Sequence, residues 1–199
     1  MERVMILNAS PRAPKSNSKR YAETFASYCP HSEYREVGKT NHLELCQAAG
    51  EFSDILLVFP LYADSLPVTL LNFLKTLASN APDRKPVISA IVNCGFIEPH
   101  QNDVAIDMLR LYCQSQGYRF GSALKIGSGE AILATPFRIL VRIQTKRFAN
   151  SIANRAFRTF EVTMPIPKRL FIKASSAYWE NYGKRNGVTR DEMGTMQIE

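Results

Sequence analysis

The chain has 199 residues, an ordinary apolar share of 45% and a formal net charge of +7. That length suits one domain with a sizeable core, and the longest apolar runs, residues 55–59 and 87–92, are far too short to span a membrane. Four widely spaced cysteines (Cys29, Cys46, Cys94, Cys113) form no C-x-x-C pair, which argues against a zinc or iron–sulfur site and against a disulfide framework. A reduced, cytoplasmic setting is expected, and the start of the chain, entering a strand at once, does not read as a secretory signal. The charge is uneven: residues 1–118 carry 11 basic and 12 acidic side chains, residues 119–199 carry 14 and 6.

In chain order, residues 4–7 read as a buried strand. The loop that follows contains Ser10, Arg12 and Ser16-Asn17-Ser18, and a helix begins at those last residues with apolar positions Tyr21, Ala22 and Phe25. A helix N-terminus presents unpaired N–H groups and the positive end of the dipole, so it favours an anion. Hydroxyls, an amide and a forked cation beside it suit a phosphate. The alternative is an ordinary Ser/Asn helix cap. No P-loop signature and no G-x-G-x-x-G is present, and the loop has no glycine. Binding would then run through side chains and the helix end, which suits a terminal phosphate.

Residues 34–37 are a second strand and 41–50 a helix. Residues 54–59 form a near-continuous apolar strand, as in a parallel sheet covered on both faces. The loop of residues 60–67 leads into a helix over 67–79. Residues 87–92 are the next buried strand, ending at Asn93-Cys94-Gly95-Phe96, and 101–116 a helix stopped by Gly117. Residues 118–126 are the fifth strand candidate, closed by Gly127-Ser128-Gly129. Alternation at this spacing argues for βαβ units and an open doubly wound sheet of five parallel strands, order 2-1-3-4-5. The loops after strands one, three and four then converge where such sheets bind ligands.

Beyond residue 128 the spacing predicts one long helix over 137–160, with Arg138, Arg142 and Lys146 four apart, stopped by Pro165 and Pro167. A further helix over 169–182 carries Tyr178 and Trp179, and 183–199 is a polar, weakly ordered tail. The division expected is a core of residues 1–128 and a basic helical extension of 129–199 packed on the same domain. The cationic stripe reads as a solvated face, as a guide for a phosphorylated cofactor, or as a contact for anionic membrane. No recognition fold for nucleic acid is visible.

Taken together, Ser10-Pro11-Arg12 with Ser16-Asn17-Ser18, Pro60-Leu61-Tyr62 with Asp64-Ser65-Leu66-Pro67, and Asn93-Cys94-Gly95-Phe96 resemble the NAD(P)H-dependent FMN reductase family of flavodoxin-like oxidoreductases. The resemblance covers roughly residues 3–128. It implies a flavodoxin-like, FMN-binding homodimer that takes hydride from NAD(P)H and reduces quinones, azo compounds, free flavins or similar small-molecule acceptors, without stable membrane insertion. It implies that Ser10, Arg12, Ser16, Asn17 and Ser18 hold the FMN phosphate. Pro60, Leu61, Tyr62 and Asp64 would line the ribityl chain and ring edge, and Asn93, Gly95 and Phe96, with Cys94 among them, the other side. Two departures stand out: Ala9 replaces a common glycine, and the basic last third has no counterpart in the shortest members. Tyr62 and Phe96 could equally be core plugs, Asp64 a helix cap, and Gly95 a turn residue needing positive φ. Cys94 finds no base among His31, His42 and His100 and reads as a small buried hydrophobe. The rival class is a flavodoxin-like electron carrier or flavin-binding regulatory protein.

Overall fold

The computed structural model describes residues 3–195, so the last four residues of the expected polar tail lie outside the described residues. Six parallel strands, β1 (Val4–Asn8), β2 (Ser32–Glu36), β3 (Asp54–Pro60), β4 (Val87–Asn93), β5 (Phe120–Ile126) and β6 (Thr159–Val162), form one sheet in the order β2-β1-β3-β4-β5-β6. Its helices are α1 (Asn17–Ala26), α2 (His42–Ala49), α3 (Val68–Ser79), α4 (Asp103–Gln116) and α5 (Arg138–Ala153).

The strand residues alternate between two cores, as a period of two requires. Met5, Leu7, Ile55, Leu57, Phe59 and Val92 pack with α2, α3 and α4 on one face. Val4, Ile6, Leu56, Val58, Leu124 and Ile126 pack with α1 and α5 on the other. Each such side chain, when fully buried, contributes about 1.5–3 kcal/mol of transfer free energy. The strands are apolar on both faces because both faces are covered. Register sets Asn8 opposite Val58, Pro60 opposite Asn93 and Asn93 opposite Ile126, so the strand exits lie side by side.

The doubly wound parallel sheet agrees with expectation, and a sixth strand is added to it. The span expected as one helix over 137–160 is α5 followed by β6. The helix stops in a Schellman motif: Ala156 N–H donates to Ser151 O (2.9 Å) and Arg155 N–H to Ile152 O (3.0 Å). The left-handed residue of that motif, usually glycine, is Arg155 at φ 54°. Its guanidinium holds the buried Asp54 carboxylate through two hydrogen bonds, at 2.6 and 3.0 Å. A helix end fixed by an ion pair 101 residues away leaves no local signature.

By its internal contacts the chain divides into two compact units, Met1–Met164 and Pro165–Glu199. The second contains α6 (Lys168–Arg185) and α7 (Arg190–Met193). Thr189 caps α7 in a capping box with Glu192. Gly183 is buried against α7, where a Cβ would come within 2.6 Å of Met193 Sδ.

Candidate functional site

A cavity of about 320 Å³ opens at the C-terminal ends of β1, β3 and β4, at the small end of the range for ligand sites. Ser10, Arg12, Lys15, Ser16, Asn17 and Ser18 line one side of it. Pro60, Leu61, Tyr62, Asn93, Cys94 and Gly95 line the rest, together with Glu130.

The cradle is built from the end of β1. Asn8 is wholly buried; its Oδ1 accepts from Ser10 N–H (3.1 Å), and its Nδ2 donates to Tyr34 Oη (2.9 Å) and Ser16 Oγ (3.4 Å). One side chain thus sets the course of the loop and the start of α1. Ser16 is the N-cap, its Oγ accepting from Lys19 N–H at 3.1 Å. Ser10 Oγ accepts from Arg12 N–H (3.3 Å), and the buried Ser18 Oγ accepts from Asn93 Nδ2 (3.0 Å). In all three serines the oxygen is used as acceptor, which leaves the hydroxyl proton to donate to an anion. Asn17 is alike: Oδ1 accepts from Arg20 (3.3 Å) and its NH₂ is left to donate. With the first-turn N–H groups of α1 and the cations of Arg12 and Lys15, the donor set fits a phosphate. Among the described residues, Glu130 is the one carboxylate on the lining.

The facing wall is pinned at the ends of β3 and β4. Leu61 N–H donates to Asn93 O (2.8 Å), and Asn93 Nδ2 donates to Phe59 O (3.0 Å) as well as to Ser18. Asn93 therefore ties both walls together from a buried position. Tyr62 and Ser65 exchange backbone bonds at 3.2 and 2.9 Å around Ala63 (φ 46°) and Asp64 (φ 55°), the geometry of a type I′ turn. Tyr62 is 42% exposed on the cavity, while Asp64 sits at the exposed tip of the turn, outside the lining. Asp64 is not the N-cap of α3, a place taken by Pro67.

Gly95 does not have a positive φ. A Cβ on it would meet nothing within 4 Å, so no protein neighbour demands glycine there. The open space beside it belongs to the cavity that Gly95 lines, which fits a flat ligand lying close to the backbone. Phe96 is 52% exposed and lies outside the lining; it is not a core plug, and its carbonyl accepts from Ser128 N–H at 2.5 Å.

Gly127-Ser128-Gly129 straps the end of β4. Gly129 N–H donates to Cys94 O (2.7 Å) and Gly129 O accepts from Tyr21 Oη (2.7 Å). A Cβ on Gly129 would approach Asn93 Cβ to 2.9 Å, and one on Gly127 would approach Ile97 O to 2.6 Å. Both glycines allow close backbone approach. The buried Tyr21 phenol is pushed well up, chiefly by desolvation, and stays a neutral donor. Cys94 is buried, its thiol likewise raised first by desolvation, and Asn102 Nδ2 donates to its sulfur at 3.4 Å. That is an inert thiol. Ala9, also fully buried, keeps a negative φ, so nothing in the backbone requires a glycine there.

The sequence reading missed Asn8, Lys15, Tyr21 and Glu130. Asn8 stands on an apolar strand end, and Lys15 in the loop already singled out. Nothing local marks Tyr21 or Glu130, since their roles depend on β5 returning beside β4.

No family model matches the sequence, and no curated protein matches it significantly. Solved structures do match in shape. An NADPH-quinone reductase from P. pentosaceus superposes with a TM-score of 0.59 at 13% identity, covering 74% of this chain and 97% of its own. An FMN-dependent NADH-azoreductase from Bacillus anthracis, solved with FMN, gives 0.58 at 15%, covering 77% and 100%. A flavodoxin from Streptococcus pneumonia gives 0.55 at 15%, covering 76% and 99%. At these identities the likeness establishes the fold. The fold is flavodoxin-like.

Proposed function

We propose that the cavity binds FMN and that the protein is an FMN-dependent NAD(P)H oxidoreductase acting on a quinone, azo, flavin or similar acceptor. The observation that carries this is the donor set at the start of α1: three hydroxyls whose oxygens are already used as acceptors, beside Arg12, Lys15 and the helix end. The resemblance read from the sequence and the shape shared with quinone and azo reductases support the reading.

Ser10, Arg12, Ser16, Asn17 and Ser18, joined by Lys15, would hold the phosphate. Pro60, Leu61 and Tyr62 would bound one side of the ring system, and Asn93, Cys94 and Gly95 the other, with Asp64 and Phe96 at the exposed margin. FMN, when bound, supplies acceptance of hydride from NAD(P)H and delivery of two electrons to the acceptor. This chain's part is to bind, to orient and to keep the slot open. No histidine lines the cavity among the described residues, and Cys94 is held protonated, so the lining offers little acid–base chemistry of its own. A homodimer in a reducing cytoplasm belongs to the same proposal; the thiols of Cys46, Cys94 and Cys113 suit that setting, and sedimentation velocity tests the dimer.

Stopped-flow mixing of the flavin-loaded protein with NADH and with NADPH tests the reading. Bleaching of the flavin band within seconds is the expected result. Flavin binding without reduction over minutes would overturn the oxidoreductase in favour of an electron carrier, the class of the flavodoxin neighbour.

A further inference from the structure

Helix α6 has two unlike sides along its 18 residues. Leu170, Ala174, Tyr178 and Tyr182 follow at intervals of four, with Phe171 and Trp179 beside them, so an apolar and aromatic arc runs the helix length. The opposite arc is Arg169, Lys173, Ser176, Glu180 and Lys184. Cations intrude on the apolar arc only at the first and last residues, Lys168 and Arg185, where long stems can carry their charge outward.

This apolar arc is not buried. Leu170 is 57% exposed, Tyr178 60% and Tyr182 53%, and Trp179 is nearly half exposed. The three aromatic rings pack on one another, with centroids 5.3–6.4 Å apart. The single acidic residue of the helix, Glu180, is paired with Arg190 at 3.4 Å, so the polar arc is left strongly cationic. No described helix is long and apolar enough to cross a membrane. A helix with Trp, Tyr and Leu on one side and Lys and Arg on the other lies in the plane of an interface, and its cations favour anionic headgroups.

We propose that α6 is an interfacial helix that adsorbs the protein to anionic lipid, seating Tyr178, Trp179 and Tyr182 among the headgroups with Arg169, Lys173 and Lys184 held toward lipid phosphates. Charge selects the partner: a neutral protein surface would answer the aromatic arc and leave the cationic one unmatched. The inference does not depend on the cavity taking FMN.

Trp179 is the chain's one tryptophan, so its emission reports on this helix alone. The full chain is mixed with vesicles of phosphatidylcholine containing phosphatidylglycerol, and with vesicles of phosphatidylcholine alone, then sedimented. Expected are a blue shift of Trp179 emission and pelleting with the anionic vesicles, at least tenfold weaker with phosphatidylcholine alone. Removing cations in the double variant Arg169→Gln, Lys173→Gln should weaken binding about fivefold for each cation. Far-UV circular dichroism checks that the variant is folded, and Lys173→Arg should restore its share of the binding. Equal binding to both vesicles, or none to either, overturns the proposal. So does a blue shift that grows with protein concentration without lipid while sedimentation shows a dimer, which would assign the aromatic arc to a second copy.

Discussion

Arg155 and Asp54, 101 residues apart in the sequence, form a bidentate pair: the arginine, at a left-handed φ of 54°, forks onto a carboxylate that is only 1% exposed. Ser53 Oγ donates to the same carboxylate at 2.7 Å. The pair compensates a strained helix stop with a satisfied buried charge. Removing the arginine strands that charge, at a cost of about 3 kcal/mol. Arg155→Ala should lose about that much in urea unfolding, and Arg155→Gly about 1 kcal/mol less, because glycine relieves the left-handed strain. A glycine variant as stable as the parent would contradict this, because the ion pair would then be worth only the roughly 1 kcal/mol of strain that glycine relieves.

Asn8 should prove a positioning residue for the cradle. Asn8→Ala leaves Ser10 N–H and Tyr34 Oη without their buried partner, a loss of about 2 kcal/mol in stability. FMN affinity should fall with it, because the loop and the first turn of α1 lose their common anchor. Asn8→Asp keeps the acceptor for Ser10 but sets a negative charge beside the anion site, so it should lower FMN affinity more than stability. Calorimetric titration and urea melts on both variants separate the two effects. Unchanged affinity in both would remove Asn8 from the site.

Two glycines separate space kept for a ligand from space used by the protein. Gly95→Val should leave thermal stability within about 0.5 kcal/mol, since a Cβ there meets nothing, yet block flavin uptake. Gly129→Ala drives a Cβ to 2.9 Å from Asn93 Cβ, and such overpacking costs about 1–3 kcal/mol. A Gly95→Val protein with full flavin occupancy would make Gly95 a plain surface residue.

Alkaline pH should unfold the protein through its buried thiols and phenols. Burial pushes the Cys46 thiol from 9.0 up to about 11 and the Cys113 thiol up to about 12. Burial is also the main cause that raises Tyr34 and Tyr118 to about 12; at Tyr34 the bond from Asn8 opposes it and Glu36 adds to it. Between the unfolded and folded values the native state holds protons that the unfolded chain has released. Stability is therefore full below about pH 9 and falls as pH rises toward 12. Urea midpoints measured from pH 8 to 11 should show this decline, and Cys46→Ala should make it shallower. A flat profile would contradict the burial of these groups.

The fold was legible wherever the signal was local. Apolar runs at residues 54–59 and 87–92 mark strands covered on both faces, and Gly117 marks the end of α4 with a φ of 67°. The serines of the cradle were legible for the same reason, since capping chemistry is written in adjacent residues. β6 was not, because its four residues are set by pairing with β5 and the helix before it ends on an arginine held from far away. Asn8 and Glu130 were hidden differently. Asn8 is uninformative until it is seen to anchor Ser10 and Ser16 from a buried position, and Glu130 until the chain beyond β5 brings it to the cavity.

The central claim is that the cavity at the ends of β1, β3 and β4 takes FMN through the start of α1. The direct test is titration of FMN into the flavin-free protein, followed by quenching of flavin fluorescence, with Arg12→Ala alongside. Saturable binding of about one FMN per chain is expected, weakened roughly tenfold or more in the variant, as loss of a charge-assisted hydrogen bond implies. No saturable binding to the parent protein, or equal affinity in the variant, would contradict the assignment.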